Sequence, residues 1–503
     1  MLAEGLLAPA PPLRSGRRAE SWLTSRPRTL SLAGAGVVLA ALAGGLVGSD
    51  PKLGVAVVGT VALIALVLLR PFFGGLILVG LVPVVSGLAP GVPVSSVRIS
   101  EALIGVVGVT LIVSVRRRDA VPWGLLDWLV LAYGIAWFAF GAADAVVLGQ
   151  HLTISEWGTV LGQLQFFLIY RGVRISVRSQ AERRAALTVA LLAAGPVALL
   201  AVLQEAHVPG VANLLHAVTG SAETAASPPG TVAPLSITDV HRATGPFPNW
   251  TSLAGYLFPL LLTFCAIALA RQVGPRRWIF LGVVALALGG LLASEEQSAI
   301  IGLAAGAIAL GVMTRQLGRV LRWLLVAAVA AGLLFGSAIG KRVSEELSPG
   351  AQSSQSSVLP QTLQFRWEVW TGQYVPAIEQ RPLTGYGDVT PPSVRWPYTE
   401  SQYVTLLMEG GLPLLLLFGA LTWAMVRRGR ACARSPDPMD QALGRALVVS
   451  VVALAIMDVV WPFMSNGGLP QVLWALLALA EPCRGPSPVL AVGGTGAALR
   501  QAG

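Results

Sequence analysis

The sequence predicts an all-α, polytopic membrane helix bundle of about 12–14 transmembrane helices, with a large extracytoplasmic loop containing an interfacial helix. Three observations carry that expectation. The 503-residue chain is 54% apolar and only 12% charged, where a soluble domain carries about a quarter charged residues. Its apolar residues gather into runs near the roughly 20 residues that cross a bilayer. Its basic residues divide unevenly between alternate loops, as they do when cytoplasmic loops set orientation.

In chain order the candidate spans lie near 30–48, 53–69, 72–90, 99–115, 122–142, 153–170, 185–204, 251–270, 278–293, 297–313, 322–340, 402–426, 443–461 and 467–481. Several are short or broken by Gly and Pro, and one pair could be re-entrant. With the N-terminal tail inside, 27 of the 35 Lys and Arg residues fall on inner loops. The other eight are Lys52, Arg98, Arg242, Lys341, Arg342, Arg366, Arg381 and Arg395. That split places both termini in the cytoplasm and both long loops outside the inner membrane. It also accounts for the net charge of +10 without nucleic acid.

The resulting organisation is a cytoplasmic tail (1–29), an N-terminal bundle (30–204), a first outer loop (205–250) and central helices (251–340). A large outer loop (341–400), C-terminal helices (401–482) and a flexible cytoplasmic tail (483–503) follow. The Pro- and Arg-rich start is too long for an ordinary signal peptide, so the first apolar run reads as a retained anchor. Cys265, Cys432 and Cys483 show neither metal-ligand spacing nor a disulfide framework. No self-similarity at 20–50 residues is evident.

The polar interruption from Lys341 to Glu400 is the first place to look for chemistry. Within it Leu363, Trp367, Trp370, Tyr374 and Ala377 recur at helical spacing, predicting a helix over Thr362 to Ile378 with one aromatic face. Such a helix suits the membrane surface, as a functional element or as a simple cap over the bundle. Pro376 leaves its C-terminal end open. Arg366, beside two tryptophans, offers a bidentate fork to a phosphate or an ordinary lipid headgroup. In RPLTGYGD, Gly385 and Gly387 permit a tight turn. The first outer loop closes with HRATGPFPNWTSLAGYLF, where Asn249 and Thr251 are possible helix caps. Arg242 there needs a reason other than capping.

These segments carry a resemblance. RATGPFPNWTSLAGYLF resembles the R-x-x-G-x-F-x-N-x-x-x-x-A-x-Y-L run of the O-antigen ligase and polymerase family. FRWEVWTGQYVPAIEQRPLTGYG is similar to its R-x-x-x-W…A…P-x-x-G-x-G stretch, and ESQYVTLLMEGGL to its H-N-x-Y-L-x-x-L-x-E-x-G-L stretch. Order, spacing and topology agree across about residues 240–420. The resemblance implies a membrane glycosyltransferase that takes a glycan from an undecaprenyl-diphosphate carrier at the outer face. The acceptor would be a glycan, lipid or protein, with membrane lipids as surroundings and no cofactor or nucleic acid. It implies that Arg242 and Arg366 hold the diphosphate.

Two stretches depart from the family pattern. Glu400 stands where ligases have His, with Ser401 in place of Asn, and Gln297 occupies an Arg position within SEEQSAI. A carboxylate can still take a proton from an acceptor hydroxyl. The departures favour a polymerase or another acceptor over a lipid A core ligase. With no Asp-x-Asp pair, a metal-independent route follows, in which arginines stabilise the leaving diphosphate. Secondary candidates are Asn249, Trp370, Gly385, Gly387, Ser401, Tyr403, His241 and Asp458.

Glu295 and Glu296 read as a solvated turn or as alternative bases. Asp458 is a carboxylate near a span's outer end, hydrated or functional. Asp127 and Glu409 suit structural roles, and His151, His207, His216 and His241 show no ligand spacing. A transporter or flippase would instead place polar residues on broken helices at mid-bilayer. A noncatalytic scaffold would also accommodate the two departures.

Overall fold

A computed structural model describes residues 51–88, 98–114, 121–147, 149, 154–219, 242–347, 361–387, 391–396, 398–465 and 467–481. The expected tails at 1–29 and 483–503, the span near 30–48, and His151 and His241 lie outside the described residues. Every regular element among the described residues is helical. In order they are α1 (Pro51–Leu69), α2 (Pro71–Val85), α3 (Ile99–Ser114), α4 (Leu125–Val147), α5 (Ile154–Gly162), α6 (Leu164–Ser176), α7 (Gln180–Glu205) and α8 (Val211–Thr219). After the first outer loop come α9 (Trp250–Leu269), α10 (Arg277–Ala293), α11 (Gln297–Met313) and α12 (Leu317–Leu347). The second outer loop contributes α13 (Gln361–Val369) and α14 (Val375–Gln380), and α15 (Gln402–Cys432), α16 (Pro438–Met457) and α17 (Leu469–Leu479) follow.

The polytopic bundle is as expected, but the 12–14 apolar runs do not all become long spans. Among the described residues five helices (α4, α7, α9, α15 and α16) have both the length and the apolarity to cross a bilayer. The pair α1 and α2, bent by 119° at Arg70–Pro71, counts as a sixth if it is one span. Four more apolar helices (α3, α10, α11 and α17) have only 10–17 residues. Apolar runs count side chains, whereas helices stop where the backbone demands. The run near 153–170, for example, is divided at Gln163 into α5 and α6.

Two of the prolines inside helices are accommodated in the same way. A π turn at Ile77–Leu81 ends two residues before Pro83, and another at Trp370–Tyr374 ends two residues before Pro376. Proline has no N–H to close the usual turn, and a locally wider turn absorbs the misfit. The predicted helix over Thr362 to Ile378 therefore runs on past Pro376 to Gln380.

The bundle is arranged around α9, of whose apolar stretch 89% is buried. Tyr256, Phe258 and Phe264 are fully enclosed there. The helices α10, α11, α16 and α17 pack around it, while α15 lies against α16 and α4. At the end of the bundle opposite the large outer loop, buried ion pairs join several helix termini. Asp127, at the start of α4, accepts from Arg171 Nη1 at 2.9 Å, from Arg174 and from the Gly124 N–H at 2.7 Å. Arg174 also reaches Glu481, which accepts from the Tyr170 hydroxyl at 3.0 Å and lies 3.4 Å from Arg428. Arg183 pairs with Asp440 across α7 and α16.

Removing one partner of such a network leaves charges uncompensated out of water. Asp127→Ala should cost about 3–5 kcal/mol, read as a lowered thermal midpoint of the detergent-solubilised protein. An unchanged midpoint would show that these pairs do not hold the helix ends.

Candidate active site

Two arginine–carboxylate pairs meet at the outer-loop end of the bundle. The first begins at the close of the first outer loop. There Thr244 and Gly245 donate their N–H groups to Gln204 Oε1, each at 3.0 Å, and Ala243 N–H bonds the Ala293 carbonyl at 3.0 Å. This folds the segment over the ends of α7 and α10. Asn249 then caps α9, its Oδ1 accepting from Ser252 N–H at 2.7 Å and Thr251 Oγ1 at 2.8 Å. Asn249 is the cap and Thr251 is not, and the carboxamide oxygen of Asn249 is used by the helix. The fold of this segment carries Arg242 against Trp250, with the guanidinium 4.5 Å from the ring centroid and Nε 3.8 Å from Glu295 Oε2.

The second pair is built within the large loop. The helix α13, its π turn and α14 pack their own small core of Val369, Tyr374, Ala377, Tyr386, Val394 and Met408. Three side chains then grip the segment leading to Glu400. Trp370 Nε1 donates to the Thr399 carbonyl at 2.8 Å, and the Tyr374 hydroxyl to the Trp396 carbonyl at 2.8 Å. Gln373 Oε1 accepts from the N–H groups of Arg395 and Trp396 at 2.8 and 3.0 Å. The π turn breaks the expected aromatic stripe, for Trp367 is 62% exposed whereas Tyr374 is buried.

Glu400 is only 7% exposed. One carboxylate oxygen accepts from Arg366 Nε at 3.2 Å and the other from Trp396 Nε1 at 3.3 Å. Arg366 Nη1 and Nη2 make no hydrogen bond among the described residues. Burial pushes the Glu400 carboxyl above the ordinary 4.5; the Arg366 charge and the Trp396 and Arg366 bonds pull it down, and Glu296 pushes it up. That last effect requires Glu296 to lie near Glu400. Glu295, which faces Arg242, and Glu296, whose charge acts on Glu400, are neighbours in the turn between α10 and α11.

Glu295 and Glu400 also share a backbone feature, with φ of 51° and 54° in the left-handed region. A non-glycine residue held there costs roughly 1–2 kcal/mol and persists only where its surroundings over-determine it. The reading of Glu295 as a solvated turn is thereby corrected. Its side chain is 18% exposed and set against Arg242.

The remaining candidates are distributed around this centre. Ser401 Oγ and Gln402 N–H donate to the Asp458 carbonyl at 3.2 and 2.8 Å, and the Tyr403 hydroxyl to Ala455 at 2.5 Å. These bonds fix the start of α15 on the end of α16. Asp458 is 1% exposed, so the hydrated reading of it is not met. The helix-and-loop packing encloses it. Gly385 (φ 71°) lies with its Cα against the α15 backbone, and Gly387 (φ 63°) packs on α4 at Gly141 and Asp144. Arg381 Nη1 donates to Asp144 Oδ1 at 3.4 Å. That pair was missed because Asp144 sits in an apolar run over 200 residues away in sequence. Gln297 is exposed at the start of α11, and His207 and His216 are exposed at the end of α7 and in α8. Among the described residues no three His, Cys, Asp or Glu side chains converge.

Residues 281–419 match the family model described as O-antigen ligase. Among curated proteins none matches the chain. The protein is thus a multi-pass membrane protein, roughly a quarter of whose length is similar to the O-antigen ligase family. The matched stretch contains Glu295, Glu296, Arg366 and Glu400 and leaves out Arg242, which the fold returns to it through Glu295.

A Cβ on Gly385 would lie 2.4 Å from the Met408 carbonyl oxygen, at a φ that side chains resist. Gly385→Ala should therefore destabilise the protein by about 2–3 kcal/mol, measured as a drop in thermal midpoint. A wild-type midpoint would show that the turn relaxes freely.

Proposed function

We propose that the protein transfers or polymerises a glycan from an undecaprenyl-diphosphate carrier at the outer face of the cytoplasmic membrane, in the assembly of an O-antigen or a related surface polysaccharide. The observation that carries this reading is the pairing of Arg242 with Glu295 and of Arg366 with Glu400 at the outer-loop end of the bundle, three of these four residues lying in the stretch similar to O-antigen ligase.

In this reading the glycosidic C–O bond to the diphosphate breaks, and the diphosphate leaves with the electron pair. The two guanidiniums stabilise the charge that develops on it, and a planar fork suits paired phosphate oxygens. The acceptor hydroxyl forms the new C–O bond and gives its proton to Glu400. The ion pair couples the two events. While Arg366 bonds Glu400 it lowers the proton affinity of the carboxylate. As Arg366 turns toward the phosphate that restraint falls away, and Glu400 becomes the stronger base when the proton must move. Trp370, Ser401 and Asp458 act by holding the backbone on either side of Glu400. A carboxylate at the position where ligases carry His supports polymerisation, or a different acceptor, over transfer to lipid A core.

Deleting the gene should cause undecaprenyl-diphosphate-linked glycans to accumulate. Wild type should restore their use, whereas Arg242→Ala, Arg366→Ala and Glu400→Gln should each lose at least about 100-fold in turnover. Single repeats on the carrier would identify a polymerase, and long chains a ligase. Rescue by all three variants would refute the site, and altered solute uptake with unchanged lipid-linked glycans would indicate transport.

The pH dependence has a defined sign. Glu400 must be ionised to act, so turnover should rise with pH through a carboxylate value above 4.5. Removing the Glu296 charge in Glu296→Gln should move that limb to lower pH. Replacing Trp396 with Phe should move it higher, because a bond to the ionised form is lost. Limbs that stay in place would exclude Glu400 as the titrating group.

A further inference from the structure

The helices α9 and α11 end in the same way. In α9 the chain reads Ala270-Arg271-Gln272-Val273-Gly274, and in α11 Thr314-Arg315-Gln316-Leu317-Gly318. Arg271 N–H bonds Ala268 and Gln272 N–H bonds Ile267, each at 3.1 Å. Arg315 N–H bonds Val312 at 3.1 Å and Gln316 N–H bonds Gly311 at 2.8 Å. Both are Schellman closures, which require a left-handed residue just past the helix. Glycine takes that conformation at least cost, yet both sites hold arginine at φ 56°. Gln316 Nε2 also donates to the Leu269 carbonyl at 2.9 Å, locking the two helix ends side by side.

Between them lies an open cleft of about 470 Å³ lined by Arg271, Arg315, Arg319, Arg322 and Gln316. No carboxylate pairs with any of the four guanidiniums among the described residues. Arg171, Arg174, Arg183 and Arg428, at the same end, do have carboxylate partners. The cleft lies a full helix length from the Arg242 end of α9, roughly 30 Å and close to the thickness of a bilayer core. Beside it Trp278, Leu321 and Trp323 are exposed, and tryptophans so placed mark headgroup depth.

We infer that this cleft binds the phosphate of an anionic lipid headgroup in the leaflet opposite the candidate active site. Four guanidiniums that have no carboxylate partner among the described residues supply charge-assisted donors to phosphate oxygens. The inference is independent of the glycan-transfer reading.

Glycine itself provides the test. In the variant combining Arg271→Gly and Arg315→Gly both closures survive while two guanidiniums go. Full-length protein in detergent would be titrated with cardiolipin, with phosphatidylcholine and with inorganic pyrophosphate, and bound adducts counted by native mass spectrometry. Wild type should retain cardiolipin over phosphatidylcholine. The glycine variant should bind it at least about tenfold more weakly, with a thermal midpoint equal to or above wild type. Arg427→Gln with Arg430→Gln, a control at the same end but outside the cleft, should bind as wild type does. Equal cardiolipin retention by the glycine variant, or equal losses in the control, would overturn the site. Retention of pyrophosphate with no preference for cardiolipin would overturn the lipid as its source.

Discussion

The large outer loop is held to the bundle chiefly by backbone meeting backbone. The helix α15 is interrupted at Gly410 and Gly411, where the dihedrals leave the helical range just before Pro413. The turn from Pro382 to Tyr386 fits into that interruption. Tyr386 N–H bonds the Met408 carbonyl at 2.6 Å, and Leu412 N–H bonds the Pro382 carbonyl at 2.8 Å. Each partner thus satisfies a group that the other leaves open, as buried backbone requires. Glycine is needed on both sides: a Cβ on Gly411 would come within 2.6 Å of Pro382, much as one on Gly385 would meet Met408. The positions of α13, α14 and the segment carrying Glu400 all follow from this docking, so the geometry of the Arg366–Glu400 pair does too.

Charge is handled differently at the two ends of the molecule. Near the outer loops three arginines face carboxylates at separations of 3.2–3.8 Å, and each retains some access to solvent. Such pairs are held in place but can exchange a partner for an incoming anion. At the opposite end the Asp127 and Asp440 pairs are nearly sealed, and desolvated pairs of that kind resist rearrangement. The arginine-lined cleft beside them has the contrary property, positive charge with no paired carboxylate among the described residues. Position relative to the carboxylates, more than the number of arginines, separates structure, chemistry and lipid contact in this chain.

Much of this was legible in the sequence for identifiable reasons. Hydropathy reflects a solvent preference summed over many residues, so the helical membrane class followed from composition alone. Arg242, Arg366 and Glu400 could be singled out because polar residues are scarce in such a chain, and the family resemblance gave their order. The cap at Asn249 and the turn glycines at 385 and 387 were local matters of backbone chemistry. What the sequence did not contain was distance. That Glu295 belongs with Arg242, that Glu296 lies near Glu400, and that Arg381 reaches Asp144 depend on which helix ends pack together. The π turn at Trp370–Tyr374 rotated the expected aromatic face, and the break at Gln163 divided one apparent span into α5 and α6. Composition and local propensity determined the class of fold and the identity of its few polar residues. Only tertiary packing decided which of them are neighbours, because an ion pair forms through space between groups that the chain itself keeps far apart.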